Sequence, residues 1–251
     1  VAGNGDFAGL GFSVLPNFVA KGKPVAAVAT LSSGVPPYSI LIRPDLVKTV
    51  RDVRDLKGRS IGIPLGSLTS KTYLQTVMEL WLSVHGVRAT DVRWVQTNQN
   101  LDGMYGGLAS GVVDAVFCEE PLAGTLVRKK VGRRLASLND PRAPGRESWA
   151  KHLRAVLAAP KEIIDIHPRR VELMVGMLQR SLNWIPSHKA AEIVAKVGTQ
   201  AAALMLDLYS LDGRFKPAEV EATRAFLDAS GAHLPAGMAM RSLIADQWVN
   251  R

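Results

Sequence analysis

Short runs of β-branched and small apolar residues alternate with amphipathic stretches over roughly the first 160 positions of this 251-residue chain. Residues 25–31, 39–43, 60–64, 92–97, 115–118 and 134–138 read as strands. Between them the period lengthens to that of a helix. Across 70–85, Tyr73, Leu74, Val77, Met78, Leu80, Trp81 and Val84 fall on one face, and Gly86 ends the segment. Residues 100–110 form a shorter helix closed by Gly111. Strands alternating with helices through short joints predict an α/β fold, an open and mostly parallel sheet with helices on both faces.

After about residue 160 the texture turns helical. Residues 168–184, 187–197, 201–209, 217–230 and 238–248 all carry helical periods, with Pro186, Gly198, Gly213 and Gly231 as punctuation. The pattern divides the chain in two. A βα unit occupies 44–152, and 1–43 with 153–251 make a discontinuous first lobe. The strands at 39–43 and 153–158 are then the candidate hinge crossings. Residues 139–148, with two prolines, a glycine and two arginines, read as an exposed loop.

Composition narrows the classes. Apolar residues make up 47% and charged residues 21% of the chain, values of an ordinary globular protein, and no apolar run is long enough to span a bilayer. Lysine and arginine number 31 against 22 acidic residues, a net charge of +9. These charges are spread rather than gathered into a footprint, so they read as a solvated surface, with no nucleic acid as partner. The densest run, Arg128 to Lys130 with Arg133 and Arg134, fits a helix C-terminus, where cations offset the dipole. Cys118 is the single cysteine and ends an apolar strand, as a buried small hydrophobe does. The five histidines lack zinc-ligand spacing, so neither a metal nor another cofactor is expected. Trp81, Trp94 and Trp184 sit in apolar patterns and read as core.

The sharpest chemical signal is the stretch from Gly62 to Ser70. A strand ends, glycine turns the chain, and Ser67, Thr69 and Ser70 open a long helix. Exposed N–H groups at such a helix start favour an anion, and Gly66 permits close backbone approach; ordinary N-capping explains the same hydroxyls equally well. Lys71-Thr72 does not make a phosphate-binding P-loop, because Leu65 and Ser70 stand where its glycines belong. Glu119 and Glu120 follow the strand at 115–118, beyond whose carboxyl end a ligand would bind in an open parallel sheet. Asn4, Gly5 and Asp6 follow an apparent strand end and precede a helix. No serine–histidine–acid set stands out.

Two motif groups carry a resemblance. Asp55-Leu56-Lys57-Gly58-Arg59-Ser60-Ile61-Gly62 leads into Gly66-Ser67, and Gly111-Val112-Val113-Asp114-Ala115 leads into Glu120-Pro121; Lys216-Pro217-Ala218-Glu219-Val220 follows near the end. In this order and spacing the chain resembles the ABC-transporter substrate-binding proteins for nitrate, alkanesulfonate and taurine, relatives of the thiamin-pyrimidine-precursor binders. The resemblance implies a two-lobed type II periplasmic-binding-protein fold that holds a small polar or anionic solute between its lobes, without catalysis. It further implies a periplasmic or cell-envelope location, free or lipid-anchored, a monomer, and an ABC permease and ATPase as partners. By position it assigns ligand contacts to Gly66, Ser67 and Thr69, to Asn4, Gly5 and Asp6, and to Ser32 and Ser33, with Ser70 a ligand candidate from the helix start itself. Glu119 stands where the family often has tryptophan, which implies a ligand with a donor or cationic end. Val1-Ala2-Gly3 resembles the tail of a strand, so a signal sequence and a strand–helix–strand unit are expected upstream. The alternatives within the same scaffold are a sulfinate-cleaving or pyrimidine-precursor-synthase enzyme and a binder of a pyrimidine or flavin precursor.

Overall fold

The computed structural model describes residues 5–66, 71–140, 142, 150–197, 208–231 and 234–249. The strands in chain order are β1 Ala8–Gly11, β2 Val25–Thr30, β3 Tyr38–Ile42, β4 Ser60–Ile63, β5 Arg93–Gln96, β6 Ala115–Glu119, β7 Arg133–Ser137 and β8 Ala155–Pro160. The α-helices are α1 Leu15–Ala20, α2 Tyr73–Val84, α3 Leu101–Ala109, α4 Leu122–Arg128, α5 Lys161–Ile166, α6 Pro168–Trp184, α7 Ala190–Val197 and α8 Pro217–Ala229. They divide into two compact units, Val1–Gly34 with Ser148–Arg251, and Val35–Glu147. No helix among the described residues is long and apolar enough to cross a membrane.

The first unit holds a three-stranded sheet, β1-β8-β2, antiparallel throughout. All six residues of β2 are buried, so the strand reads as a continuous small-apolar run rather than an alternation. Ala26, Val28 and Ala29 pack with Ile164, Val171 and Val175 of α5 and α6, and with Trp248 and Val249. The helix expected over 238–248 is a short 3-10 turn, Met240–Leu243, then an extended Ile244 and a turn at 247–249. Ile244 bridges Ala27 in parallel and the Ala245 N–H donates to the Ala27 carbonyl at 2.8 Å. The free edge of β2 thus takes backbone bonds that a helix would have kept to itself. Of the helix expected at 201–209, residues 201–207 lie outside the described residues, as does most of the loop 139–148.

The second unit is built on a five-stranded sheet, β5-β4-β6-β3-β7. Only β5-β4-β6 are parallel; β3 runs antiparallel to both β6 and β7. With the first sheet antiparallel as well, the described sheets are mixed rather than mostly parallel. The same pairing moves β3 out of the first lobe, where 1–43 had put it. Every residue of β3 is buried inside the second sheet, and the first segment ends at Gly34.

α2 starts at Tyr73 rather than Ser70, because the Thr72 hydroxyl caps it, accepting from the Gln75 N–H at 3.1 Å. Val77, Met78, Leu80, Trp81 and Leu82 are its buried residues, whereas Val84 is 41% exposed. Gly86, at φ +74°, closes the helix in the left-handed conformation, and the next N–H, of Val87, reaches back to the Leu82 carbonyl. α4 ends at Arg128, at the head of the cationic run.

Candidate functional site

Because β5, β4 and β6 are parallel, with Ile63 in register with Gln96, their carboxyl ends share one edge of the second unit's sheet. Three loops leave that edge. The first follows β4. Its Leu65 N–H donates to Gln96 Oε1 at 2.7 Å, and the Gly66 N–H makes a long 3.5 Å bond to Gln75 Oε1. Thr72 Oγ1 donates to the Pro64 carbonyl at 2.7 Å, tying the helix start to the strand end. The turn's backbone donors therefore already meet side-chain carbonyls, Leu65 firmly and Gly66 loosely. Ser67, Thr69 and Ser70 lie outside the described residues.

The second loop, after β5, brings Gln99 to the start of α3, whose N-cap Asn100 accepts from the Gly103 N–H at 2.8 Å. The third leaves β6, whose last residue is Glu119, and carries Glu120, joined to Pro121 by a cis peptide bond. A cavity of about 290 Å³ opens between the two, lined by Gln99, Asn100 and Leu101 on one side and by Glu119, Glu120, Leu122 and Thr125 on the other. Both terminal atoms of the Gln99 amide are buried and have no hydrogen-bond partner among the described residues. An amide held so costs about 1–3 kcal/mol, which marks it as a group awaiting a partner.

Both glutamates line the cavity. Glu120 Oε2 accepts from the Gly124 N–H at 2.8 Å and Oε1 from Arg134, so this carboxylate caps α4 and pairs with β7. Cys118, one residue before Glu119, is buried, and burial above all, then the charge of Glu120, pushes its thiol up to about 12. It packs with Leu41, Val116 and Leu126 as a small hydrophobe.

In the first unit, Ser33 Oγ donates to Glu219 Oε1 at 2.7 Å and accepts from Lys216 Nζ at 3.0 Å. Glu219 is buried at the first turn of α8, and its Oε2 has no partner among the described residues. Ser32 Oγ accepts from the Ala155 N–H at 3.0 Å, and Arg154 binds the Ser33 and Gly34 carbonyls. The two serines are brought together, but into a knot that consumes their hydroxyls. Gly5 is exposed, Asp6 pairs at 3.0 Å with Arg170 of α6, and Asn4 lies outside the described residues. Asp6 is followed by β1, not by a helix.

Sequence reasoning missed Gln75, Gln96 and Gln99. The polar run Thr97-Asn98-Gln99-Asn100 directly after an apolar strand was the available signal, since a parallel strand's carboxyl end is where ligand groups collect. Of the three tryptophans expected in the core, Trp81 is buried, whereas Trp94 and Trp184 are only partly buried.

The model of the NMT1-like family matches residues 22–199. The chain belongs to the NMT1-like family. No curated protein sequence matches it. Among solved structures, this NMT1-like chain is similar to a Bordetella bronchiseptica RB50 protein, with a TM-score of 0.75, 19% identity, and 99% of this chain covered against 80% of that one. It is similar to the protein named periplasmic sulfonate-binding protein SsuA from Methylobacillus flagellatus KT, with a TM-score of 0.74, 18% identity, and 99% and 74% covered. The desulfurization enzyme DszB follows at a TM-score of 0.63 and 17% identity, with 97% and 84% covered. The NMT1-like chain thus has the type II periplasmic-binding-protein fold, which hosts both binders and an enzyme.

Proposed function

We propose that this chain is the solute-binding subunit of an ABC importer, working in the periplasm or cell envelope and delivering a small polar solute of the sulfonate, taurine or nitrate class to a permease and ATPase. The observation that carries the reading is the Gln99 amide, buried with no partner among the described residues, beside a cavity at the carboxyl ends of parallel strands. At about 290 Å³ the cavity suits a small solute. Gln99 offers one donor-and-acceptor edge, which suits a small polar solute. The name of the SsuA neighbour supports the solute class and the transport role.

The DszB likeness supports an enzyme on the same scaffold. Against that reading stands Cys118, whose thiol is sealed in the core and held protonated by burial, the opposite of an activated nucleophile. A thermal-shift panel of taurine, ethanesulfonate, nitrate, an aminopyrimidine and riboflavin separates the readings. Binding raises Tm with ligand concentration, and the compound is recovered unchanged. Chemical conversion of any of them, or no shift with all five at millimolar concentration, sinks the proposal.

A further inference from the structure

The first unit carries a separate recess, where α7 lies beside the C-terminal half of α6. It encloses about 620 Å³, within the range of small-molecule sites. Its walls include Met177, Trp184, Ile193 and Tyr209, and among the described residues its charged lining groups are Arg180 and Lys196. Met177 is 48% and Tyr209 36% exposed, so an apolar body seated there would take them out of water.

The charge is one-sided. Among the described residues, neither Arg180 nor Lys196 has a carboxylate within salt-bridge distance, whereas Arg169 and Arg170 on the same helix are paired with Glu172 and Asp6. Lys196 Nζ instead stands 5.5 Å from the centre of the Trp184 ring. Arg180 lies back along its helix over Gly176, with Nη1 3.6 Å from that residue's Cβ position. An apolar wall flanked by two unneutralised cations is the complement of an amphipathic anion.

We infer that this recess binds a free organic anion with an apolar body, a medium-chain or aromatic carboxylate or sulfonate, its head between Arg180 and Lys196 and its body against Met177, Trp184 and Ile193. The site shares no residue with the cavity beside Gln99. The test uses the full chain labelled with methyl-¹³C methionine, the Met177 signal being assigned by its loss in Met177→Leu. Decanoate should shift that signal saturably. The double variant Arg180→Gln/Lys196→Gln should weaken binding at least tenfold while the other methionine signals hold their places, showing an intact fold. Decyltrimethylammonium, with the opposite charge, should leave the Met177 signal still. Gln99→Leu should lose solute binding yet keep the decanoate response, so failure of one site is distinguishable from failure of the other. The inference is overturned if Met177 does not respond, if it responds equally to the cationic amphiphile, if the double variant binds like wild type, or if only phosphatidylglycerol vesicles move the signal.

Discussion

Gln99→Leu should make the protein more stable and a worse binder at once. Leucine nearly matches the volume of glutamine and carries no polar atoms. The amide it replaces is buried with both ends unpartnered among the described residues, and a buried amide without hydrogen bonds costs about 1–3 kcal/mol. Removing it should therefore raise the unfolding free energy by about 1–3 kcal/mol, at roughly 2–4 °C in Tm per kcal/mol for a domain of this size class. Urea denaturation followed by circular dichroism reads the effect as a higher midpoint at unchanged slope, the sign of a stability change without a change of denatured state. The same variant should bind solute at least tenfold more weakly, about 1.4 kcal/mol. Opposite signs in stability and affinity distinguish a group held unsatisfied for a ligand from one that merely packs. An unchanged or lower midpoint means the amide is bonded in the folded protein, and the argument from Gln99 fails.

Gly62→Ala should destabilise by about 1–3 kcal/mol, because its Cβ would meet Thr97 Oγ1 at 2.7 Å and methyls of Val113 and Val116 at 3.2 Å in the buried centre of the sheet; thermal unfolding checks this. Thr223→Val should cost about 1–3 kcal/mol in a urea melt, since the buried hydroxyl accepts from the Leu153 N–H at 2.8 Å and nothing else would. Burial holds the His85 imidazole below its ordinary value, with Asp52 opposing in part. The unfolded chain therefore takes the proton first, and stability falls as pH drops below about 6.5. Wild type should lose more stability between pH 7 and pH 5 than His85→Gln does, and equal losses would refute this.

Most strands were legible because their apolar runs are local. β1, Ala-Gly-Leu-Gly, was not; three of its four residues are exposed, and its place depends on pairing with β8, nearly 150 residues away in sequence. The run at β3 was visible as a strand, but its unit was decided by its pairing with β6 and β7, which no local pattern encodes. The full length of α6 was legible from a 17-residue amphipathic period that starts at Pro168. At the site, the glutamate pair at the end of β6 could be found from strand-end logic. Which glutamate is spent on Arg134 and the Gly124 N–H could not, because that depends on where β7 brings its arginine. Gln99 was hidden for the same reason. A polar residue in a polar loop signals exposure by composition, and only tertiary packing shows that its amide is buried.

The most direct test of the account is a calorimetric titration of the full chain with taurine, run in parallel on Gln99→Leu and Glu119→Gln. The account predicts saturable binding at one site in the wild type and at least a tenfold rise in Kd in each variant. Wild-type affinity in both variants would contradict it.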